Sequence, residues 1–166
     1  MGIGLICNSH NMLFSYENQL VIRRIKLIVT VEGEIVGKQR PRVCKHGTYT
    51  PKKTKDYEQL IRNSYMAQDG KFFERDIPVQ ITIKAYKKPP KSTTKKNLKL
   101  IEQGLFPWIK KPDIDNICKS VLDALNGIAY ADDGQVVKVG TTKEYTLQEE
   151  RIEFEVKEFK IYRSQG

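Results

Sequence analysis

The sequence predicts one α+β domain, a small mixed or antiparallel sheet packed by two or three helices. Short runs rich in β-branched residues alternate apolar with polar side chains at 25–31, at 79–85, at 135–145 and at 151–162. Segments with helical spacing and recognisable ends lie between them. A chain of 166 residues with 39% hydrophobic content can fill one core and is short for two. Residues 1–21 read as an N-terminal extension, and 22–166 as the single domain.

Taking the elements in order, residues 1–21 hold Cys7, His10 and a second methionine, Met12. They lack the basic start of a secretory signal, and Ile6 stands where a myristoylation pattern needs Ser or Thr. Ile25, Leu27, Val29 and Val31 then mark a first strand ending at Glu32-Gly33, and a basic loop follows. Thr50-Pro51 reads as an N-cap and first-turn pair. The helix it opens runs through Tyr57, Leu60, Ile61 and Tyr65 and stops by Gly70. Val79, Ile81, Ile83 and Ala85 form the second strand.

Beyond it Lys84, Lys87, Lys88, Lys91, Lys95, Lys96, Lys99, Lys110 and Lys111 are opposed by Glu102 alone. So one-sided a run points to a polyanion. Ser92-Thr93-Thr94 can start a short helix through Leu98 and Ile101, and Phe106-Pro107-Trp108 leads into a further strand. At its end come Asp113 and Asp115, two apart, whose carboxylates would leave the same face. Asp115 or Asn116 is placed to cap a helix through Ile117, Val121, Leu122 and Leu125, closed by Asn126-Gly127. Lys119 lies one turn in, at i+4 from Asp115. Ala131-Asp132-Asp133-Gly134 has turn composition and could return another carboxylate to the first two. The last two strands, joined through Leu147-Gln148-Glu149-Glu150, suggest an antiparallel hairpin.

Carboxylates clustered without histidine or cysteine repel one another, which suggests a hard cation such as Mg²⁺ or Mn²⁺ as their partner. Each piece also has a plainer reading, as helix cap, turn, or salt bridge from Lys119 or to Asp123. A net charge of +9 and a pI near 9.4 favour nucleic acid over a membrane, since no basic amphipathic stretch carries a large apolar face. Cys7, Cys44 and Cys118 are too scattered for a disulfide framework or, with His10 and His46, for a zinc site. Cys118 reads as an apolar filler. No Ser/His/Asp signature, P-loop or dinucleotide fingerprint is present, so no nucleotide cofactor is expected.

Lys111-Pro112-Asp113-Ile114-Asp115-Asn116, then Lys119, then Val121-Leu122-Asp123-Ala124-Leu125-Asn126-Gly127, then Asp132-Asp133-Gly134-Gln135-Val136 resemble the signature of the RusA-type Holliday junction resolvases. Gly37-Lys38-Gln39-Arg40-Pro41-Arg42 and the stretch from Tyr49 to Tyr57 resemble that family's basic N-terminal segment. The likeness runs from near Arg24 to the C-terminus. It implies a homodimeric, Mg²⁺-dependent endonuclease (Mn²⁺ a substitute) that nicks four-way DNA junctions symmetrically. Three aspartates and a lysine needed for cleavage fall on Asp113, Asp115, Asp133 and Lys119, with Asn116 and Asp132 as supporting neighbours.

On that reading Asp113, Asp115 and Asp133 are the metal ligands and water is the nucleophile. Lys38, Arg40, Arg42, Lys52, Lys53, Lys55, Lys87, Lys88, Lys91, Lys95, Lys96, Lys110 and Lys111 are the expected DNA contacts. A cytoplasmic, nucleoid-associated protein of prokaryotic or phage type is expected. The alternatives are a non-catalytic basic nucleic-acid-binding protein, or a nuclease for other branched DNA such as flaps and forks.

Overall fold

The computed structural model describes residues 12–16, 19–23, 27–45 and 47–160, the first two stretches and residue 44 as backbone alone. In chain order these form β1 (Met12–Tyr16), β2 (Gln19–Arg23), β3 (Val29–Glu32), β4 (Arg42–Cys44), β5 (Gly47–Tyr49), α1 (Lys52–Ala67), β6 (Val79–Lys87), α2 (Lys95–Glu102), α3 (Ile114–Leu125), β7 (Val136–Tyr145) and β8 (Arg151–Glu158). β1 and β2 pair as an antiparallel ribbon. The rest of the expected extension at 1–21, with Cys7 and His10, lies outside the described residues, as do residues 25 and 26 of the first expected strand, His46, and residues 161 and 162 of the last.

The main sheet has the order β3-β8-β6-β7, with β8 antiparallel to both of its neighbours and β7 parallel to β6. The domain is therefore α+β around a mixed sheet, as expected. The hairpin expected of the last two strands does not form, because β8 enters between β3 and β6. Burial explains the choice: Ile152 and Phe154 of β8 are wholly enclosed, which suits a central strand, whereas most β7 side chains face solvent, which suits an edge. The connection crosses the end of β6. It is held there by the Thr146 N–H on the Lys87 carbonyl (2.9 Å) and the Lys88 N–H on the Glu150 carboxylate (3.1 Å).

Period-two alternation puts Val79, Ile81, Ile83 and Ala85 on one face of the sheet, beside Val29, Val31, Ile152 and Phe154. Tyr57, Ile61 and Tyr65 of α1 and Ile117, Val121, Ala124 and Leu125 of α3 close over that face. Enclosing each large apolar side chain stabilises by roughly 1.5–3 kcal/mol, which makes this layer the main source of stability. Phe154 stacks on Tyr65 at 6.1 Å between centroids. The opposite face carries Gln80, Thr82, Lys84 and Glu153, which water reaches, and the buried Glu155.

Side chains fix the helices to this frame. Pro51 is the N-cap of α1 rather than its first helical residue. At the other end Gln68 accepts from the Thr30 N–H (3.0 Å) and donates to the Thr30 carbonyl (2.8 Å), covering part of the free edge of β3. Arg62 of α1 donates to the carbonyls of Ala124 (2.8 Å) and Asp123 (3.2 Å), satisfying groups that the end of α3 would leave orphaned. α2 begins within the expected Ser92-Thr93-Thr94 start, with Thr94 as N-cap, whose hydroxyl accepts the Asn97 N–H. α3 ends at Asn126, and Gly127 follows with φ 74°, a conformation that favours glycine.

Candidate active site

The segment expected to be a strand before the aspartates is irregular. Pro107 and Pro112 lack the N–H groups a ladder needs, and among the described residues the segment's strand pairing with β7 is limited to an isolated bridge from Pro107 to Glu144. Lys143 of β7 takes over the work of a neighbouring strand. Its ammonium donates to the carbonyls of Lys110 and Pro112, each at 2.8 Å, and lies 4.7 Å from the centre of the Trp108 ring. Neither Lys143 nor the buried Trp108 stands in a local sequence pattern that marks a site residue.

α3 consequently starts earlier than its sequence suggests, with Asp113 as N-cap and Asp115 inside the first turn. The two carboxylates therefore do not leave one face of a strand, since Asp113 is still extended while Asp115 is already inside the first helical turn. Both are exposed. Asp113 occupies the capping position, yet its side chain accepts no capping hydrogen bond. Its oxygens are left open to solvent at the positive end of the helix, where anions and their counter-cations gather. Lys119, one turn on, is exposed and forms no ion pair among the described residues.

The first turn of α3 is buttressed by the basic segment before β4. Asn116 accepts the Lys38 N–H (2.8 Å) through its backbone carbonyl, and Ser120 Oγ donates to the Val36 carbonyl (2.9 Å). Gly37 lies so close that a Cβ there would stand 2.8 Å from Pro112 Cβ. Gly37, Lys38 and Gln39 thereby share one cleft with Lys53, Lys87, Lys111, Pro112, Asp113 and Asn116. Cys118 is half-buried against Thr141 of β7. Burial pushes its thiol up, with the Asp115 charge adding to this and the Thr141 hydrogen bond and Lys119 opposing it; a protonated thiol is a poor nucleophile.

Asp133 stands elsewhere. Lys143 reaches Pro112 and Thr141 meets Cys118, so the end of β7 is level with the start of α3. Asp132 and Asp133 precede the opposite end of β7, where Asp132 accepts the Gly134 N–H (2.8 Å) and caps a single 3-10 turn, Asp133–Gln135. At about 3.3 Å per residue, the strand from Val136 to Lys143 alone spans roughly 23 Å. The turn and the start of α3 thus lie toward opposite ends of β7. Among the described residues no three carboxylate, histidine or cysteine side chains converge to hold a metal ion. Asp113 and Asp115 still suit a hard cation in donor chemistry, because Mg²⁺ commonly takes one or two carboxylates and completes its shell with water and substrate phosphate.

The expected DNA contacts divide by partner. Lys38 is an internal bridge, its ammonium on Glu58 of α1 (2.5 Å) and Asp123 of α3 (2.6 Å). Partial burial pulls that ammonium down, but its hydrogen bonds to Asp123 and Glu58 outweigh the effect and hold it above the ordinary lysine range. Lys53 pairs with Glu34 (2.9 Å) and Lys88 with Glu149 (2.8 Å), both at exposed sites, while Lys87 lies over the Trp108 ring. Arg40, Arg42, Lys52, Lys55, Lys91, Lys95, Lys96, Lys110 and Lys111 are exposed. Arg42 begins β4, which with β5 makes a small hairpin in what reads as loop. If Lys110 and Lys111 meet phosphates, replacing both with alanine lowers the slope of log affinity against log salt by about two units, measured on duplex DNA.

An exposed acidic helix start with exposed lysines beside it in the chain suits a phosphate-bearing partner. The chain matches the family of endodeoxyribonuclease RusA over residues 32–157. It is also 36% identical over 135 residues to "Uncharacterized protein YqaN" of Bacillus subtilis (strain 168), a match covering 78% of this chain and 94% of that one. The chain belongs to the RusA endodeoxyribonuclease family, nucleases of the Holliday junction resolvase type. No helix among the described residues is long and apolar enough to cross a membrane.

Proposed function

We propose that this protein is a Mg²⁺-dependent endonuclease, selective for branched DNA, that resolves four-way junctions by paired symmetric phosphodiester hydrolysis in recombination and repair. The uncapped, exposed Asp113 beside Asp115 and Lys119 carries this reading, together with membership of the family. Asp113 and Asp115 hold the cation, for which Mn²⁺ can substitute. Bound there, a divalent ion lowers the pKa of a water and offsets charge on the phosphate. Lys119 faces a phosphoryl oxygen as negative charge builds, and Lys110 and Lys111 hold the flanking backbone.

The distance of Asp133 from Asp113 favours a site completed by a second copy of the chain. Val137 and Val139, near the start of this edge strand, support this, since they are 54% and 38% exposed, and the register of Val139 with Ile81 puts it on the helix side of the sheet. An apolar strip beside Asp133 on an edge strand suits a two-fold contact. Each catalytic centre would then draw Asp113, Asp115 and Lys119 from one subunit and Asp133, supported by Asp132, from the other.

The test is cleavage of a labelled four-way junction and of linear duplex of the same sequence, with and without Mg²⁺. Paired symmetric nicks confined to the junction and requiring metal are expected. Binding without cleavage under any divalent ion would leave a non-catalytic DNA-binding protein; equal cleavage of flaps and forks would widen the substrate to branched DNA in general.

A further inference from the structure

Four residues before Asp113 the chain exposes apolar side chains that folding does not require. Leu105 is 67% and Ile109 85% exposed, and Pro107 between them faces solvent too. Scattered exposed hydrophobics are ordinary, but these share one segment held rigid from beneath. Trp108 is its anchor, 3% exposed, gripped between the Lys87 and Lys143 ammoniums, and Phe106 stacks on Tyr145 at 6.0 Å. The Lys143 bond to the Lys110 carbonyl fixes the backbone immediately after Ile109. The exposed Lys110 and Lys111 follow directly on Ile109 in the chain.

We propose that Leu105 and Ile109 form a wedge that enters the base stack at the branch point, so that this segment sets selectivity for branched over linear DNA. The inference rests on the nuclease reading above. An apolar tip followed directly by cations fits a polyanion that exposes apolar surface, and bases at a branch do so at lower cost than bases in a continuous duplex. Leu, Ile and Pro are side chains that proteins use to part base steps. The anchored backbone matters because a wedge that yields cannot unstack a base. The position fits as well, since Pro112 and Asp113 follow directly on the segment that Lys143 clamps.

The test uses Asp113→Asn to permit binding without cutting, with 2-aminopurine placed at the branch of a four-way junction and, as control, inside linear duplex. Binding is expected to raise fluorescence several-fold at the branch and to leave the duplex signal unchanged. Leu105→Ser/Ile109→Ser should abolish the rise while keeping duplex affinity within twofold, and Ile109→Leu should restore it. In the cleaving protein the serine pair should lower the ratio of junction to duplex binding by tenfold or more. If the unsubstituted protein neither binds nor cuts junctions, the nuclease reading fails. If it cuts them and the serine pair leaves fluorescence and selectivity unchanged, the wedge is overturned. A serine pair that instead loses binding to vesicles of anionic phospholipid, or shifts the oligomeric state in sedimentation, overturns it in favour of a membrane contact or a subunit contact.

Discussion

Mixing Asp113→Asn chains with Asp133→Asn chains is expected to restore cleavage of junction DNA that neither variant cuts alone. Each substitution removes a carboxylate from the proposed metal site, and losing several kcal/mol of transition-state stabilisation corresponds to roughly a 10³-fold fall in rate. In one chain Asp113 lies at the start of α3 and Asp133 before the far end of β7. If each centre draws these residues from different subunits, a mixed dimer has one doubly substituted centre and one intact centre. Random exchange of subunits then returns about a quarter of the wild-type centres. The products should be single nicks rather than paired ones, because only one centre per dimer works. Complete inactivity of the mixture, with subunit exchange verified by differently tagged chains, would place all three aspartates in one subunit and remove the dimer's role in assembling the site.

Lys38→Ala should destabilise the fold more than it weakens DNA binding. The ammonium joins Glu58 of α1 to Asp123 of α3, and removing it leaves two carboxylates facing one another in a half-buried niche. Loss of one partner from such a bridge costs about 2 kcal/mol, less than the fully buried case because water reaches the site. In a domain of this size that lowers Tm by roughly 4–8 °C, measurable by calorimetry. The pKa of Lys38 is raised on folding, so its contribution is complete at neutral pH and is lost only as pH climbs through the raised value. Unchanged Tm with a marked loss of DNA affinity would return Lys38 to the phosphate contacts.

Much of this architecture is legible in the residues because it is written locally. Val79, Ile81, Ile83 and Ala85 declare a half-buried strand, Ser92-Thr93-Thr94 a helix start, and Asn126-Gly127 a helix stop, and each stands where expected. Strand order is not local. β7 and β8 are neighbours in the chain and read as a hairpin, yet their order depends on which of them buries more apolar surface against strands far away in sequence. Asp113 and Asp115 were legible as a pair, but their setting was not. Pro107 and Pro112 deny a strand, and the carbonyls they leave are satisfied by Lys143, some thirty residues on. Lys38 shows the same limit, since a lysine in a basic motif gives no local sign that two carboxylates on separate helices will enclose it.

The late arrival of β8 between β3 and β6 bears on how the protein emerges from the ribosome. β3 and β6 meet only through β8, so the first 150 residues can form helices and the β6-β7 pair but no continuous sheet. α1 and α3 then lack part of the surface they close over, including Ile152 and Phe154. A nascent chain thus carries the acidic helix start and the lysine-rich segment well before it has a rigid frame to aim them. β8 is thus the keystone strand, without which the acidic helix start and the lysine-rich segment share no common frame.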